Sequence, residues 1–166
     1  WGDWEKFASY AFNKSHATCY SWVAYQTAYM KAHYPAEYMA ALMTRRFSQI
    51  TEITKLMEEC KSMGISTLGP DVNESYSRFG VNEKGEIRFG LSAIKGMGEA
   101  AAAAIVSERE KKGTYKTIFD FAERVDFCSV NRKAFESLAL SGGFDGFGIR
   151  REQYFGANTK GELFLD

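Results

Sequence analysis

The sequence predicts a mainly α-helical protein, in which a helical segment is followed by a small β-hairpin and a second group of helices. Apolar residues recur at helical spacing in both halves of the 166-residue chain. Between the halves, two short apolar runs flank a turn that contains glycine, which is typical of a β-hairpin. Hydrophobic residues make up 45% of the chain and aromatic residues 15%, which is enough apolar surface for a packed core.

The first helical segment is rich in aromatic residues. Asp3 can cap an initial helix that contains Trp4, Phe7 and Tyr10. A long helix is predicted over residues 17–33, because apolar residues recur there every three or four positions. Its apolar stripe, which we expect in the core rather than as a platform for stacking bases, consists of Tyr20, Val23, Ala24, Thr27 and Met30.

Two shorter helices are predicted to follow. Pro35 ends the long helix, because proline removes a backbone hydrogen bond from a helix interior, and the next helix covers residues 36–45. Residues 49–64 form an amphipathic helix, with Gly64 as its left-handed C-cap. The apolar face of this helix contains Ile50, Ile53, Leu56, Met57 and Cys60.

An extended connection over residues 65–72 leads to the β-hairpin. Residues 76–81 and 86–89 are its predicted strands, and Gly85 is expected in the left-handed conformation at the turn.

Residues 89–106 are the most informative segment of the chain. A short apolar stretch meets Gly96-Met97-Gly98, and a strong helix begins at about Glu99. This pattern is typical of a helix-hairpin-helix, which holds a nucleic-acid backbone without reading bases. The two glycines allow a sharp turn, and the first-turn N–H groups of the helix face the same point. We therefore expect Lys95 and the backbone N–H groups of Gly96, Met97 and Gly98 to bind one phosphate, while the Met97 side chain points into the core.

The alternative is that the glycines only make a tight turn between packed helices. The wider spacing favours the helix-hairpin-helix, because apolar residues stand at matching positions on both sides of the turn. These residues are Leu91 and Ile94 before the turn and Ala101, Ala104 and Ile105 after it.

The last part of the chain repeats the same arrangement in a weaker form. Thr117 is expected to cap a helix that extends to about Arg124. A further helix begins at residues 131–133 and runs into the glycine-rich turn 141–144, with the features of a degenerate second hairpin. Asn131, Arg132 and Lys133 are candidates for a second phosphate contact, the alternative being a solvated helix start. The chain from Arg150 onward is expected to be a loosely ordered tail.

Charge and cysteine content limit the functional classes. The 21 basic and 21 acidic residues give a net charge of zero, whereas independent DNA-binding domains are usually basic, so DNA binding by this chain alone is expected to be weak.

Cys19, Cys60 and Cys128 are odd in number and widely spaced, which predicts buried thiols in a reducing cytoplasm and neither a disulfide framework nor a zinc site. No signal peptide or membrane span is predicted, and the start at Trp1 predicts a piece of a longer protein.

A polar cluster interrupts the aromatic region at Asn13, Lys14, Ser15 and His16. These side chains lie at a predicted helix N-terminus and could all donate to a phosphate. The alternative is an ordinary capping loop with a solvated lysine. His33, at the end of the long helix, is expected to be a capping or packing residue.

The chain resembles the family C replicative DNA polymerases, the alpha subunits of bacterial DNA polymerase III. The resemblance covers nearly all the chain and weakens after about Arg151. Several segments resemble those of the family in the same order: residues 12–17, 25–41, 69–73, 85–91, 93–98 and 141–145.

This resemblance implies a division into three parts. Residues 1–64 would be the C-terminal part of the polymerase fingers, and residues 65–150 a β-hairpin plus a helix-hairpin-helix module that grips duplex DNA without sequence specificity. Residues 151–166 would lead toward the next domain. The cluster 13–16 would lie near the incoming nucleotide or the template.

The resemblance also implies what this chain lacks. The parent enzyme extends a primer with the help of Mg²⁺ ions held by palm carboxylates. No Asp-x-Asp pair occurs here, so we expect no catalytic residue, metal site or cofactor in this chain.

Implied partners are the primer–template duplex, the remaining polymerase domains and, through the parent, the sliding clamp and other replisome subunits in the cytoplasm. Residues 162–165 only distantly resemble a clamp-binding peptide, because they lack its glutamine.

Two other functional classes remain open from the residues. One is a free-standing helix-hairpin-helix protein that binds or repairs DNA. The other is a structural scaffold in which the glycine turns only pack helices.

Overall fold

The computed structural model describes residues 1–5 and 14–155. After a helical segment at residues 2–5 come the helices α1 (Lys14–His33), α2 (Pro35–Arg45) and α3 (Ile50–Ser62). Strands β1 (Thr67–Leu68), β2 (Gly80–Val81) and β3 (Ile87–Arg88) follow. Helices α4 (Glu99–Lys112), α5 (Ile118–Arg124) and α6 (Arg132–Ser141) complete the second half, with 3-10 turns at Leu91–Ala93, Asp145–Phe147 and Arg151–Phe155. The prediction of a mainly α-helical chain with a small β segment is confirmed. Among the described residues, no helix is both long and apolar enough to span a membrane.

The three short strands form one sheet with the order β1-β3-β2. Strands β2 and β3 pair antiparallel, as predicted, and Gly85 has a φ of 77° at their turn. The Asn82 side chain organises the turn, because its Oδ1 accepts hydrogen bonds from the N–H groups of Lys84 and Glu86. Strand β1 pairs parallel with β3, a contact that the extended pattern of residues 65–72 did not predict.

Two groups of buried residues hold the described chain together. The first lies between α2, α3 and the sheet and includes Met39, Met43, Ile53, Cys60, Phe79 and Ile87. The second lies among α4, α5 and α6 and includes Leu91, Met97, Ile105, Phe121, Leu138 and Phe144. Phe89 is partly buried and packs against both groups.

The predicted burial of α1 is wrong. None of its residues is buried, and Tyr20, Val23 and Met30 are 66%, 54% and 45% exposed. Ala24 and Thr27 of the same stripe are exposed as well. The physical reason is that α1 packs on α2 at its end, and no other described element covers the stripe. The helix itself was predicted from periodicity, but periodicity does not show which element lies opposite.

The prediction of three buried thiols is also wrong in part. Cys60 is buried on α3, whereas Cys19 on the uncovered α1 and Cys128 in the turn before α6 are exposed. On α3 the predicted face is buried at Ile53 and Cys60, but Ile50 begins the helix and is 65% exposed. Gly64 has a φ of 74°, as expected of a left-handed C-cap.

The structure corrects the expectation for the C-terminal segment, and part of the N-terminal prediction falls on residues that the structure does not describe. Residues 2–5 are helical, whereas Phe7, Tyr10 and Asn13 lie outside the described residues. The expected loose tail is wrong as far as Phe155. Tyr154 is 1% exposed, and its ring centroid lies 5.7 Å from that of Phe144, so the second core extends to this residue. Arg151 supports this turn by donating to Asp145 Oδ1 (2.9 Å) and to the Leu140 carbonyl (3.2 Å).

Tyr115 is expected to make the second core less stable at alkaline pH. Its side chain is buried, its hydroxyl donates to the Ile105 carbonyl (2.8 Å), and burial raises the pKa of the phenol from 10.0 to about 12. The unfolded chain therefore loses this proton first. Stability from this group is complete below about pH 10 and is lost as pH rises toward about 12.

We expect Tyr115→Phe to be less stable at neutral pH but to lose less free energy of unfolding between these pH values. Urea unfolding of both proteins across this range measures the difference. An equal decline in both would contradict the assignment, because the other tyrosines and the lysines are common to both proteins.

Candidate nucleic-acid interface

The hairpin segment lies on the surface between a 3-10 turn and α4. Lys95, Gly96 and Gly98 are exposed, and Met97 is 6% exposed with its side chain in the second core, as predicted. The element before the hairpin is the 3-10 turn Leu91–Ala93 and not an α-helix, which corrects the helical spacing inferred for Leu91 and Ile94.

The backbone just before the 3-10 turn is closely packed against the segment that contains Arg78. A Cβ atom on Gly90 would lie 2.5 Å from the Arg78 carbonyl carbon, so glycine is required for the two backbones to approach. The predicted packing across the hairpin nevertheless exists. Leu91, Ile94, Ala101 and Ile105 are buried in one cluster, and Ala104 packs against it.

The backbone N–H groups of the hairpin are not equivalent. The Met97 N–H donates to the Ile94 carbonyl (3.0 Å), so it is already engaged, contrary to its predicted role in holding a phosphate. Among the described residues, the N–H groups of Gly96 and Gly98 have no hydrogen-bond acceptor. Gly98 is the N-cap of α4 without a side-chain cap, so the N–H groups of Glu99 and Ala100 also remain open. These donors are a candidate anion site, because they lie at the positive end of the helix dipole, where negative charge is stabilised.

The two hairpin glycines are required for different reasons. Gly96 has a φ of 92°, and a Cβ atom there would lie 2.8 Å from Ser137 Oγ, so the fold itself requires glycine. Gly98 has ordinary extended angles (φ −84°, ψ 158°), and a Cβ atom there would meet nothing within 4 Å. A side chain at Gly98 would therefore be tolerated by the fold but would project into the space in front of the open N–H groups.

The start of α6 lies beside the hairpin. The Lys133 side chain packs over Gly96, since its Cε and Cγ lie 3.5 Å and 3.7 Å from the position of a Cβ there. Asn131 is the N-cap of α6, and its Oδ1 accepts from the Ala134 N–H (3.0 Å). Arg132 forms an ion pair with Glu136 (2.9 Å). The structure thus brings Lys133 to the hairpin and gives Asn131 and Arg132 local partners.

Ser137 is the residue of this site that sequence reasoning missed. It follows Lys133 by four positions on α6, so helical spacing places both on one face, and that signal was available. Nothing in the sequence, however, indicated that this face meets Gly96.

The polar cluster near the N-terminus is placed elsewhere. Lys14, Ser15 and His16 are exposed in the first turn of α1, and the His16 ring centroid lies 4.3 Å from that of Tyr20. Asn13 is outside the described residues. The structure does not bring this cluster to the hairpin. His33 is exposed, and its ring centroid lies 4.2 Å from that of Tyr29, which agrees with a packing role.

Local charge at the hairpin is modest. Lys95 and Lys133 have no carboxylate partner among the described residues, while Glu99 adds one unpaired negative charge in the first turn of α4. Within residues 1–5 and 14–155, no three His, Cys, Asp or Glu side chains come together in a group that could hold a metal ion. The groups that can attract a phosphate here are the open backbone N–H groups and two lysines.

Comparison with known proteins agrees with this geometry. Residues 64–154 match the model of a family described as the helix-hairpin-helix motif. The chain is 50% identical over 147 residues to the DNA polymerase III subunit alpha of Pasteurella multocida (strain Pm70), which covers 89% of this chain and 13% of that protein. It is 46% identical over the same length to the subunit of Escherichia coli (strain K12). Against the subunit of Chlamydia trachomatis serovar D it is 50% identical over 143 residues, or 86% of this chain and 12% of that protein.

The resemblance to DNA polymerase III alpha subunits is confirmed by these relatives. The chain spans only about an eighth of their length.

Proposed function

Because this chain belongs to the helix-hairpin-helix family over residues 64–154, we propose that it binds the phosphate backbone of duplex DNA without sequence specificity. The observation that carries the proposal is the open N-terminus of α4, where the N–H groups of Gly96 and Gly98 have no acceptor among the described residues. Lys95 and Lys133 flank these donors. Contacts to the phosphate backbone position a protein on DNA without specifying sequence.

The chain is further proposed to be part of a DNA polymerase III alpha subunit, the name that its relatives carry. In that context the carboxylates and Mg²⁺ ions that extend the primer belong to other parts of the protein, and the hairpin holds the duplex. Lys14, Ser15 and His16, with Asn13, would face the nucleotide or the template. The sliding clamp and other replisome subunits would be reached only through the whole polymerase, in the bacterial cytoplasm.

Salt dependence of duplex binding tests the hairpin directly. We expect a dissociation constant on the order of 10⁻⁴ to 10⁻⁶ M that weakens as salt rises from about 50 to about 200 mM. Lys95→Ala and Lys133→Ala should each weaken binding and reduce the slope of log affinity against log salt by about 0.9, because each removes one phosphate contact. Fluorescence anisotropy with a labelled duplex measures both quantities.

Two further variants separate binding from folding. Gly98→Val should fold normally but bind several-fold more weakly, since its side chain would occupy the space of the phosphate. Lys111→Ala is the matched control, because Lys111 lies in the last turn of the same helix, roughly 18 Å along the axis from Glu99. Unchanged binding in Lys95→Ala, Lys133→Ala and Gly98→Val would assign the hairpin a purely structural role.

A further inference from the structure

A cleft of about 290 Å³ lies next to the hairpin, between the end of α2 and the start of α4. Residues that matter for its chemistry are Arg45, Phe47, Ser77, Arg78, Ser92 and Glu99. Glu99 also begins the helix that carries the phosphate site described above, whereas the other five residues lie outside that site. Glu99 directly follows Gly98, so the cleft opens beside the anion site.

The charges of this cleft are exceptional within the molecule. Arg45 and Arg78 are both exposed, and among the described residues neither side chain has a hydrogen bond or an ion pair. Every other arginine has a partner, a carboxylate or a backbone carbonyl: Arg46, Arg88, Arg109, Arg124, Arg132, Arg150 and Arg151. The two unpaired guanidinium groups of the described chain thus line the same cleft.

Helix electrostatics explains only one of these arginines. Arg45 lies in the last turn of α2, where a positive charge is favourable beside the helix C-terminus. Arg78 lies in the segment before β2 and has no such reason to be there. Guanidinium groups bind phosphate oxygens in a fixed fork geometry, so an unpaired pair of them in a cleft points to an anionic ligand.

The wall that carries Arg78 is held rigidly. Leu91 N–H donates to the Tyr76 carbonyl (2.9 Å) and Ser92 N–H to the Ser77 carbonyl (3.0 Å). The hydroxyl oxygens of Ser77 and Ser92 lie 2.7 Å apart. Because the backbones at Gly90 and Arg78 are also in close contact, the cation is presented from a fixed backbone.

An aromatic ring completes the site. Phe47 lines the cleft just beyond α2 and is 47% exposed. A ring beside two cations in a groove is the arrangement that binds single-stranded nucleic acid, because an unpaired base can stack on the ring while cations hold the phosphates. Bases within a duplex are stacked on their neighbours and cannot use such a ring, and the volume of the cleft suits about one nucleotide and not a duplex.

We propose that this cleft binds one unpaired nucleotide of a single strand that continues from the duplex held at the hairpin. Arg45 and Arg78 bind its phosphates, and Phe47 stacks on its base. Glu99 at the rim keeps the phosphates toward the arginines through charge repulsion. The claim that this strand continues from a duplex bound at the hairpin rests on the proposed function. The claim that the cleft binds a single strand does not.

Anisotropy measurements on two labelled DNAs test the proposal. One is a blunt duplex, and the other is the same duplex with a short single-stranded extension. We expect the extension to tighten binding by about fivefold or more, as stacking of one base on an aromatic side chain allows. Phe47→Ala and Arg78→Ala should abolish this advantage and leave binding of the blunt duplex nearly unchanged. Arg78→Ala should also reduce the salt slope for a single strand by about 0.7.

Arg46→Ala is the matched control, because Arg46 is next to Arg45 in sequence but pairs with Glu52 (3.7 Å) outside the cleft. It should keep the advantage of the extension. The proposal is overturned if the extension gives no advantage, if Phe47→Ala and Arg78→Ala both retain it, or if Arg46→Ala abolishes it equally.

The same measurements distinguish failure of the hairpin proposal from failure of the cleft proposal. Lys95→Ala should weaken binding of both DNAs and keep their ratio. If the blunt duplex does not bind at all, the hairpin proposal fails, and titration of a single-stranded oligonucleotide against the wild type, Arg78→Ala and Arg46→Ala then decides the cleft. Loss of affinity in Arg78→Ala alone supports the cleft, and equal affinity in all three proteins overturns it.

Discussion

Phe121→Ala is expected to lower the free energy of unfolding by about 3–5 kcal/mol, the usual cost of deleting a buried aromatic ring. Phe121 is 1% exposed and lies at the centre of the second core. Its ring centroid is 4.8 Å from that of Tyr115, 5.0 Å from that of Phe144 and 5.9 Å from that of Phe135, all in edge-to-face geometry. The cavity left by the ring would open among the side chains of Tyr115, Phe135 and Phe144. Urea unfolding followed by circular dichroism measures the loss.

Phe119→Ala provides the control for that experiment. Phe119 is the same residue type on the same helix, two positions earlier, but its side chain is 65% exposed. Its replacement should change the free energy of unfolding by only about 0.5 kcal/mol. Similar losses in the two variants would contradict the placement of the second core. Because Met97 packs in that core, Phe121→Ala should also weaken DNA binding as the protein unfolds.

Arg109→Met is expected to cost about 3 kcal/mol, although methionine suits an apolar environment. Arg109 is 8% exposed, and its Nη1 donates to the carbonyls of Val72 and Ser75, both at 2.8 Å. Removing the guanidinium leaves two buried carbonyls without a donor, and each such group costs about 1–3 kcal/mol. The loop that accepts these bonds is braced a second time, because the Asn73 side chain bonds both the N–H and the carbonyl of Tyr115. Loss of Arg109 should therefore loosen α4 against this loop without releasing the loop from the α4–α5 connection.

Arg109→Lys serves as the comparison, because an ammonium group can still donate to one of the carbonyls. We expect it to be destabilised by less than Arg109→Met in the same urea experiment. If methionine proved as stable as arginine, the two carbonyls would have to find other donors, and the role assigned to Arg109 would be wrong.

The elements with strong local signals were predictable. The hairpin Gly96–Gly98 with its inward Met97, the left-handed glycines at 64 and 85, and the N-cap at Thr117 follow from local backbone preferences. Local rules sufficed because each of these features depends on a few adjacent residues. The segment 69–73, by contrast, lies mostly within the predicted extended connection, but its hydrogen bonds to Arg109 and Tyr115 depend on distant elements and were not predictable from local patterns.

The errors have a common physical origin. The stripe of α1 has the periodicity of a buried face, yet its residues are exposed because burial depends on what lies opposite. Tyr154 was assigned to a loose tail, although a single aromatic residue can anchor a turn when a core is open to receive it. The β1–β3 pairing was missed because a strand of two residues has no periodicity.

By itself, the sequence determined that this chain is mainly helical and that a glycine hairpin precedes a strong helix, and it predicted that the hairpin holds a phosphate. Those properties follow from backbone preferences and spacing within short segments. Only the tertiary structure decided which donors remain open, since the Met97 N–H is used internally and the N–H groups of Gly96 and Gly98 are not used by the described residues. It also decided that Lys133 covers the hairpin, and that Arg45, Phe47 and Arg78 share one cleft. Such groupings join residues up to about forty positions apart, and their energy depends on packing between elements, which no local pattern records.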